Sequence, residues 1–176
     1  RKNPTISIND AISDIHLNFP LKPGFTIVAD LNGYSNFQYQ ATDSQKAALD
    51  ESYQITMFQI CKKFNVKLLQ APAGDAYVFY VEEHLPAFLK ALREVKIKVP
   101  LNNPDKKLYP DGNFTFSTGV AKADGDLRLS LYTSPKGTED GLIDVDGDAY
   151  VRAIHGQKNV GKNRLEVDAE TKSHLK

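Results

Sequence analysis

The sequence is poor in cysteine, in long apolar runs and in excess charge of either sign. Its single cysteine, Cys61, excludes an internal disulfide and any metal cluster built from several thiolates. No apolar run approaches the roughly 20 residues that a membrane-spanning helix needs, so no membrane segment is expected. The 22 basic residues balance the 22 acidic ones, which argues against a broad basic surface for a nucleic acid duplex or an anionic membrane.

The composition is that of an ordinary globular protein. Of 176 residues, 41% are hydrophobic and 25% are charged, which is enough apolar material for a substantial core. Residues 1–22 are predicted to form an N-terminal arm, with Ile12, Ile15 and Phe19 on the apolar face of a short helix. Residues 23–176 are predicted to form one domain. No signal-like apolar stretch follows Arg1, so the default expectation is a cytoplasmic protein.

The order of predicted elements indicates an α+β domain. Phe25–Asp30 is apolar on both faces, as expected of a central strand, and Leu31–Phe37 is rich in turn residues. In Asp43–Phe64 apolar residues recur every three or four positions, which predicts a long amphipathic helix with Cys61 as a buried thiol. Further strands are predicted at 66–70, 76–81, 114–120, 127–131 and 164–167. Helices are predicted to begin near residue 83, to span 148–158 and to begin at residue 168. An exposed loop is predicted at 100–112 and a polar loop at 133–146. This order predicts a ferredoxin-like palm, a central and mostly antiparallel sheet flanked by helices.

Two carboxylates are predicted to meet at one edge of this sheet. The strand that ends at Asp30 lies antiparallel to the strand that follows Asp75, so the two side chains converge. Magnesium is held by one or two carboxylates together with water and substrate phosphates, which suits such a pair. The backbone N–H groups of Asn32–Ser35 form a candidate phosphate nest beside it. The alternative is ordinary turn chemistry, in which an aspartate next to a glycine caps its own backbone.

Several short motifs occur in an order that is typical of one enzyme family. The first two are an apolar strand ending in Asp-x-x-Gly-aromatic-Ser (Phe25–Ser35) and an aspartate between two strands (Gly74–Tyr77). They are followed by Phe116–Val120, Asp144–Ala149 and Leu165–Thr171. Together these motifs resemble the catalytic domains of class III adenylate and guanylate cyclases along most of the chain.

The resemblance implies an enzyme that converts a nucleoside triphosphate into a 3′,5′-cyclic nucleotide and pyrophosphate by two-metal catalysis. Asp30 and Asp75, assisted by the carbonyl of Leu31, would bind two Mg²⁺ or Mn²⁺ ions. The residues that would bind phosphates or base are Gly33, Tyr34, Ser35, Ala71 and Asp144. Such cyclases work as head-to-tail dimers, in which metal residues of one subunit face base-reading residues of the other, so a homodimer is implied.

Three positions depart from the family pattern. Ala71 stands where the family has a base-reading Lys or Glu, and alanine offers the base no side-chain hydrogen bond. Val151 and His155 stand where the family has an Asn and an Arg that stabilise the transition state. Arg152, one position from the first of these, could substitute after a small register change. Arg152 and His155 are therefore the candidate catalytic residues.

These departures leave other hypotheses open. A degenerate, inactive homologue would bind nucleotide or dimerise as a regulatory module. The nonstandard base position also fits bacterial pyrimidine cyclases, which resemble the same family. Finally, Gly161–Arg164, with Ser117–Val120 and Asp148–Tyr150, resembles diguanylate cyclases and CRISPR-type polymerase palms, which would form a dinucleotide or a larger cyclic oligonucleotide. All of these families share the metal-binding carboxylates.

Overall fold

The computed structural model describes residues 23–70, 76–123, 127–133, 141–160 and 164–175. The strands are β1 (Gly24–Leu31), β2 (Lys67–Gln70), β3 (Ala76–Val81), β4 (Ile97–Lys98), β5 (Asn113–Phe114), β6 (Phe116–Ala123), β7 (Leu127–Thr133), β8 (Gly141–Gly147) and β9 (Leu165–Val167). The α-helices are α1 (Tyr34–Gln40), α2 (Asp43–Phe64), α3 (Leu85–Glu94), α4 (Asp148–Asn159) and α5 (Ala169–His174). The predicted arm, residues 1–22, lies outside the described residues, so its boundary with the domain stays a prediction.

The main sheet has five strands in the order β2-β3-β1-β6-β9, with β1 in the middle. The pairs β2–β3, β3–β1 and β1–β6 are antiparallel, whereas β6–β9 is parallel. Helices pack on both faces, which explains why β1 is mostly apolar and is buried along almost its whole length. The structure therefore confirms the predicted α+β palm with a central, mostly antiparallel sheet.

Helices α2 and α3 cover one face of this sheet. The buried residues of α2 are Leu49, Tyr53, Met57 and Cys61, each four positions from the next, as expected of one helix face. The helix begins after Thr42, whose side chain forms a reciprocal capping box with Gln45. Both predicted ends of this helix are confirmed.

Cys61 faces this core, and its burial should make the thiol unreactive. The side chain is free and 5% exposed, and burial raises its pKa to about 11. At pH 8 roughly 0.1% of it would be thiolate, against about a quarter of an exposed thiol of pKa ~8.5. We expect iodoacetamide to alkylate the folded chain at least about 100-fold more slowly than the urea-unfolded chain. Because Cys61 is the only cysteine, mass spectrometry reports this one site, and equal rates would contradict its burial.

Helix α4 packs on the opposite face through its smallest residues. Ala149, Ala153 and Gly156 are its buried positions, and they lie against β6 at Gly119. A Cβ added at Gly119 would stand 1.8 Å from the carbonyl oxygen of Ala153 and 2.5 Å from the backbone nitrogen of Gln157. The helix backbone therefore lies directly on the strand, which only glycine permits at that position.

Three predicted segments differ from the structure. The loop predicted at 133–146 is wrong for residues 141–146, which form β8 and pair with β7, whereas residues 134–140 lie outside the described residues. The turn predicted at Leu31–Phe37 becomes helical from Tyr34. The loop at 100–112 is not fully exposed, because it carries the buried Tyr109.

The chain's last described helix begins as predicted. Asp168 is its N-cap, and its side chain accepts a hydrogen bond from the Thr171 backbone N–H. None of the helices within the described ranges is long and apolar enough to cross a membrane.

Candidate metal centre

Asp30 lies near the end of the central strand. It is the one residue of β1 that is partly exposed, although Oδ1 of its carboxylate is itself buried. The register pairs Asp30 with Ala76 at the start of β3 and with Ser117 on β6. The predicted meeting of the end of β1 with the start of β3 is confirmed. Asp75, which precedes Ala76 in the sequence, lies outside the described residues, as does Ala71.

The amide of Gln157 on α4 contacts this carboxylate. Its Nε2 donates a hydrogen bond to Oδ2 of Asp30 at 3.2 Å, in a partly buried position. The sequence analysis missed Gln157, although a signal was present. It continues the stripe of small residues Ala149 and Ala153 at helical spacing, and a polar side chain in line with a buried stripe indicates a buried polar partner.

The turn after β1 is anchored to β6 by its asparagine. Asn32 donates from its backbone N–H to the carbonyl of Thr115 at 2.9 Å and from Nδ2 to the Thr115 hydroxyl at 3.0 Å. The hydroxyl of Ser117 in turn donates to Oδ1 of Asn32 at 2.7 Å. Three bonds therefore fix the chain where it leaves Asp30.

Gly33, Tyr34 and Ser35 form the junction between this turn and α1. Gly33 is the N-cap of the helix and has a φ of 84°, a left-handed conformation that favours glycine. Tyr34 and Ser35 occupy the first turn, where backbone N–H groups have no acceptor within the helix. The role of these amides as a phosphate nest stays a prediction.

Tyr109 supports the same turn from the long loop after β4. It is 1% exposed, and its hydroxyl donates to the carbonyl of Gly33 at 2.7 Å. Burial, together with the charge of Asp105, raises the pKa of Tyr109, so the hydroxyl stays protonated at neutral pH. The available signal in the sequence was an aromatic residue within an otherwise polar loop, which indicates that the loop is tethered to a core.

Replacing Tyr109 with phenylalanine should cost about 1 kcal/mol of unfolding free energy. The substitution keeps the buried ring but leaves the Gly33 carbonyl without this donor. Urea denaturation measures the loss. Tyr39→Phe is the matched control, because Tyr39 is 93% exposed and should show no change. Equal stabilities of the two variants would mean that the Tyr109 bond does not hold the turn.

The predicted catalytic residues lie elsewhere in the chain. Arg152 donates from Nη2 to the carbonyl of Lys122 at 2.8 Å, and its Nε lies 3.4 Å from Oδ2 of Asp168. Lys122 is about 17 Å along β6 from Ser117, the partner of Asp30, at ~3.3 Å per residue. His155 is exposed on α4, and the backbone of Asp144 lies in β8. Within one chain the structure does not bring Arg152 to Asp30.

The donor chemistry of this site suits a hard cation. No cluster of three or more His, Cys, Asp or Glu residues occurs in the part of the chain that the structure describes. What the site offers is a carboxylate held by an amide donor, beside backbone groups that can bind phosphate. Mg²⁺ and Mn²⁺ are bound in this manner, through one or two carboxylates with substrate phosphates and water, whereas structural zinc needs four protein ligands.

Comparison with known proteins identifies the fold. No family model matches the sequence, and no curated protein is a significant match to it. The structure is similar to the guanylate cyclase domain of RhGC from Catenaria anguillulae in complex with GTP, with a TM-score of 0.69, 12% identity, and coverage of 88% of this chain and 82% of that chain. It is also similar to a dimeric guanylyl cyclase domain of the RhoGC fusion protein from Blastocladiella emersonii (TM-score 0.60, 11% identity, 88% and 83% covered). A third relative in structure is the adenylyl cyclase CyaB from P. aeruginosa (TM-score 0.60, 10% identity, 87% and 80% covered).

At these identities the likeness concerns the fold. The chain has the fold of class III nucleotidyl cyclase catalytic domains, as the motifs in its sequence predict.

Proposed function

We propose that this domain, built on the nucleotidyl cyclase fold, converts a nucleoside triphosphate into a 3′,5′-cyclic nucleotide and pyrophosphate. The observation that carries the proposal is the pairing of Asp30 with Ala76, the residue that follows Asp75. Asp75 precedes Ala76 in the sequence, and the proposal is that its carboxylate shares this rim of the sheet with that of Asp30.

Each residue of this rim has a proposed role. Asp30 and Asp75, with the carbonyl of Leu31, would hold Mg²⁺ or Mn²⁺. Bound there, the cations would supply Lewis acidity to the 3′-hydroxyl and neutralise charge on the leaving pyrophosphate. The amides of Gly33, Tyr34 and Ser35 would hold the phosphates, and their geometry is maintained by the bonds from Asn32 and Tyr109.

The remaining candidates are proposed to act across a dimer. In a head-to-tail homodimer, Arg152 and His155 of one subunit would face the triphosphate held by Asp30 of the other. The position of Arg152, far along β6 from Asp30 of its own chain, is compatible with a role in trans. Ala71 and Asp144 would line the base. Guanylate and adenylyl cyclases are both similar to this chain in structure, so the fold alone does not select the base.

The purified chain incubated with Mn²⁺ and each of the four ribonucleoside triphosphates tests this function. We expect at least one triphosphate to release pyrophosphate and to give a cyclic mononucleotide by mass spectrometry. A dinucleotide or larger ring would instead identify an oligonucleotide-forming palm. Nucleotide binding without turnover of any of the four would identify an inactive regulatory module. Either of the last two results contradicts the proposal.

Gln157 should contribute to metal affinity by orienting Asp30. Replacing it with methionine removes the donor to Oδ2 at similar size, and loss of such an outer-shell partner typically weakens metal binding about tenfold. The measurement is a Mn²⁺ titration followed by electron paramagnetic resonance, with a nonhydrolysable triphosphate analogue present. Lys158→Met, at the exposed neighbouring residue, is the control and should retain the affinity. If the two variants bound Mn²⁺ with equal affinity, Gln157 would have no role in metal binding.

A further inference from the structure

A cavity of about 590 Å³ opens on the face of the main sheet that α3 covers. Phe116 and Thr118 of β6 line it, and Ser117, the residue between them, points the other way to bond Asn32. Phe116 belongs to the core beneath α2 and α3. Val28 and Asp30 lie on the same face of β1, and Val28 packs with the alanines of α4. The β6 side chains that line the cavity therefore lie on the face of the sheet opposite Asp30, and Asn159 and Val160 at the end of α4 extend the lining around the edge strand β9.

The floor of this cavity is apolar and partly open to solvent. Leu89 and Leu92 of α3 form it together with Phe116 and Leu165. Leu165, on the short edge strand β9, is 45% exposed and so adds apolar surface that water reaches. A bound molecule with an apolar body would cover this surface, and the removal of both apolar surfaces from water would favour binding.

The rim carries positive charge. Arg93 from the last turn of α3 and Arg164, immediately before β9, line the cavity, as does Asn159 at the end of α4. In the described part of the chain neither guanidinium takes part in an ion pair or a side-chain hydrogen bond. Among the described residues that line the cavity, Glu166 is the only one with a carboxylate, so two guanidinium groups are present for one acid. Guanidinium groups that have no partner within the described residues are available to bind a carboxylate or a phosphate, with which they form paired hydrogen bonds.

We propose that this cavity, the Arg93 cavity, is a second binding site that takes a small amphipathic organic anion. Arg93 and Arg164 bind its carboxylate or phosphate, and its apolar body lies on Phe116 and Leu165. The volume falls in the range of roughly 300–1,000 Å³ that is typical of small-molecule sites. The site is independent of the proposed cyclase function, because none of its residues belongs to the metal centre.

Matched probes test the contribution of charge. The ¹⁵N-labelled chain is titrated with hexanoate, with hexyl phosphate and with neutral 1-hexanol, and backbone amide shifts are followed by NMR. We expect saturable shifts at Thr118, Leu165 and Glu166, with at least one of the two anions binding about tenfold or more tightly than 1-hexanol. The relative affinity of hexanoate and hexyl phosphate shows whether the anionic group is a carboxylate or a phosphate. Equal binding of all three probes, or shifts confined to other residues, overturns the proposal.

Substitutions distinguish specific binding from general attraction. The double variant Arg93→Gln, Arg164→Gln should weaken binding of the preferred anion about tenfold or more and leave 1-hexanol unaffected. Both side chains are exposed, so the variant should fold, which the dispersion of its amide spectrum verifies. Lys158→Gln removes a positive charge beside Asn159 without lining the cavity, and it should change the affinity less than twofold. If it weakens binding as much as the double variant does, nonspecific electrostatic attraction accounts for the binding and the site is refuted.

Discussion

Replacing Asp30 with asparagine is expected to lower the rate of pyrophosphate release at least about 100-fold while the fold is retained. The substitution keeps the size of the side chain and an oxygen that can accept from Gln157. It removes the negative charge that a divalent cation requires, and loss of a few kcal/mol of charge stabilisation corresponds to a factor of this size. Coupled-enzyme detection of pyrophosphate at saturating Mn²⁺ measures the effect, and circular dichroism verifies the fold.

Asp43→Asn provides the matched control for this substitution. Asp43 begins α2, its side chain is fully exposed, and its contact with Lys46 spans 4.0 Å. We expect its rate to stay within about twofold of the unmodified chain, since an exposed ion pair of this kind contributes little. An Asp30→Asn variant that kept the rate of the control would rule out a catalytic role for this carboxylate.

Replacing Gly119 with alanine is expected to destabilise the domain by on the order of 3 kcal/mol. The added methyl carbon would overlap the Ala153 carbonyl and the Gln157 backbone nitrogen, and neither of these atoms can move without displacing α4. Overpacking of a rigid interior usually costs about 1–3 kcal/mol of unfolding free energy. Because the added methyl group would meet backbone atoms, the cost at this site should lie at the upper end of that range. The midpoint and the slope of the urea unfolding transition together give the loss of unfolding free energy.

Gly156→Ala is the control on the facing helix. A Cβ there would meet its nearest neighbours at 3.5–3.6 Å, which is ordinary van der Waals contact. Alanine is also favoured over glycine in a helix interior by up to about 1 kcal/mol, so this variant should be as stable as the parent or more so. If both variants unfolded at the same urea concentration, α4 would not lie on β6 as closely as the structure has it.

The sequence determines the parts of the site that depend on local pattern and strand order. Helical periodicity gives the limits of α2, and the βαββ order makes the strand after the hairpin antiparallel to β1. That pairing is sufficient to predict that Asp30 lies beside the start of β3. The prediction that Cys61 is buried follows in the same manner from its position next to an apolar helix face.

The supporting contacts could not be predicted because they join residues that are distant along the chain. The bond from Tyr109 to Gly33 spans 76 positions, and the bond from Gln157 to Asp30 spans 127. Each depends on how a loop or a helix lies on the completed sheet. Local pattern indicates that Gln157 and Tyr109 face the protein interior, but tertiary packing determines which residue each of them contacts.

A crystal structure of the chain with Mn²⁺ and a nonhydrolysable triphosphate analogue tests the shared metal site most directly. Anomalous scattering locates the ion independently of the protein atoms. We expect an ion within coordination distance of carboxylate oxygens from both Asp30 and Asp75, with phosphate oxygens completing its ligand set. An ion bound elsewhere, or the two carboxylates in separate surroundings with no ion between them, would contradict the proposed cyclase chemistry.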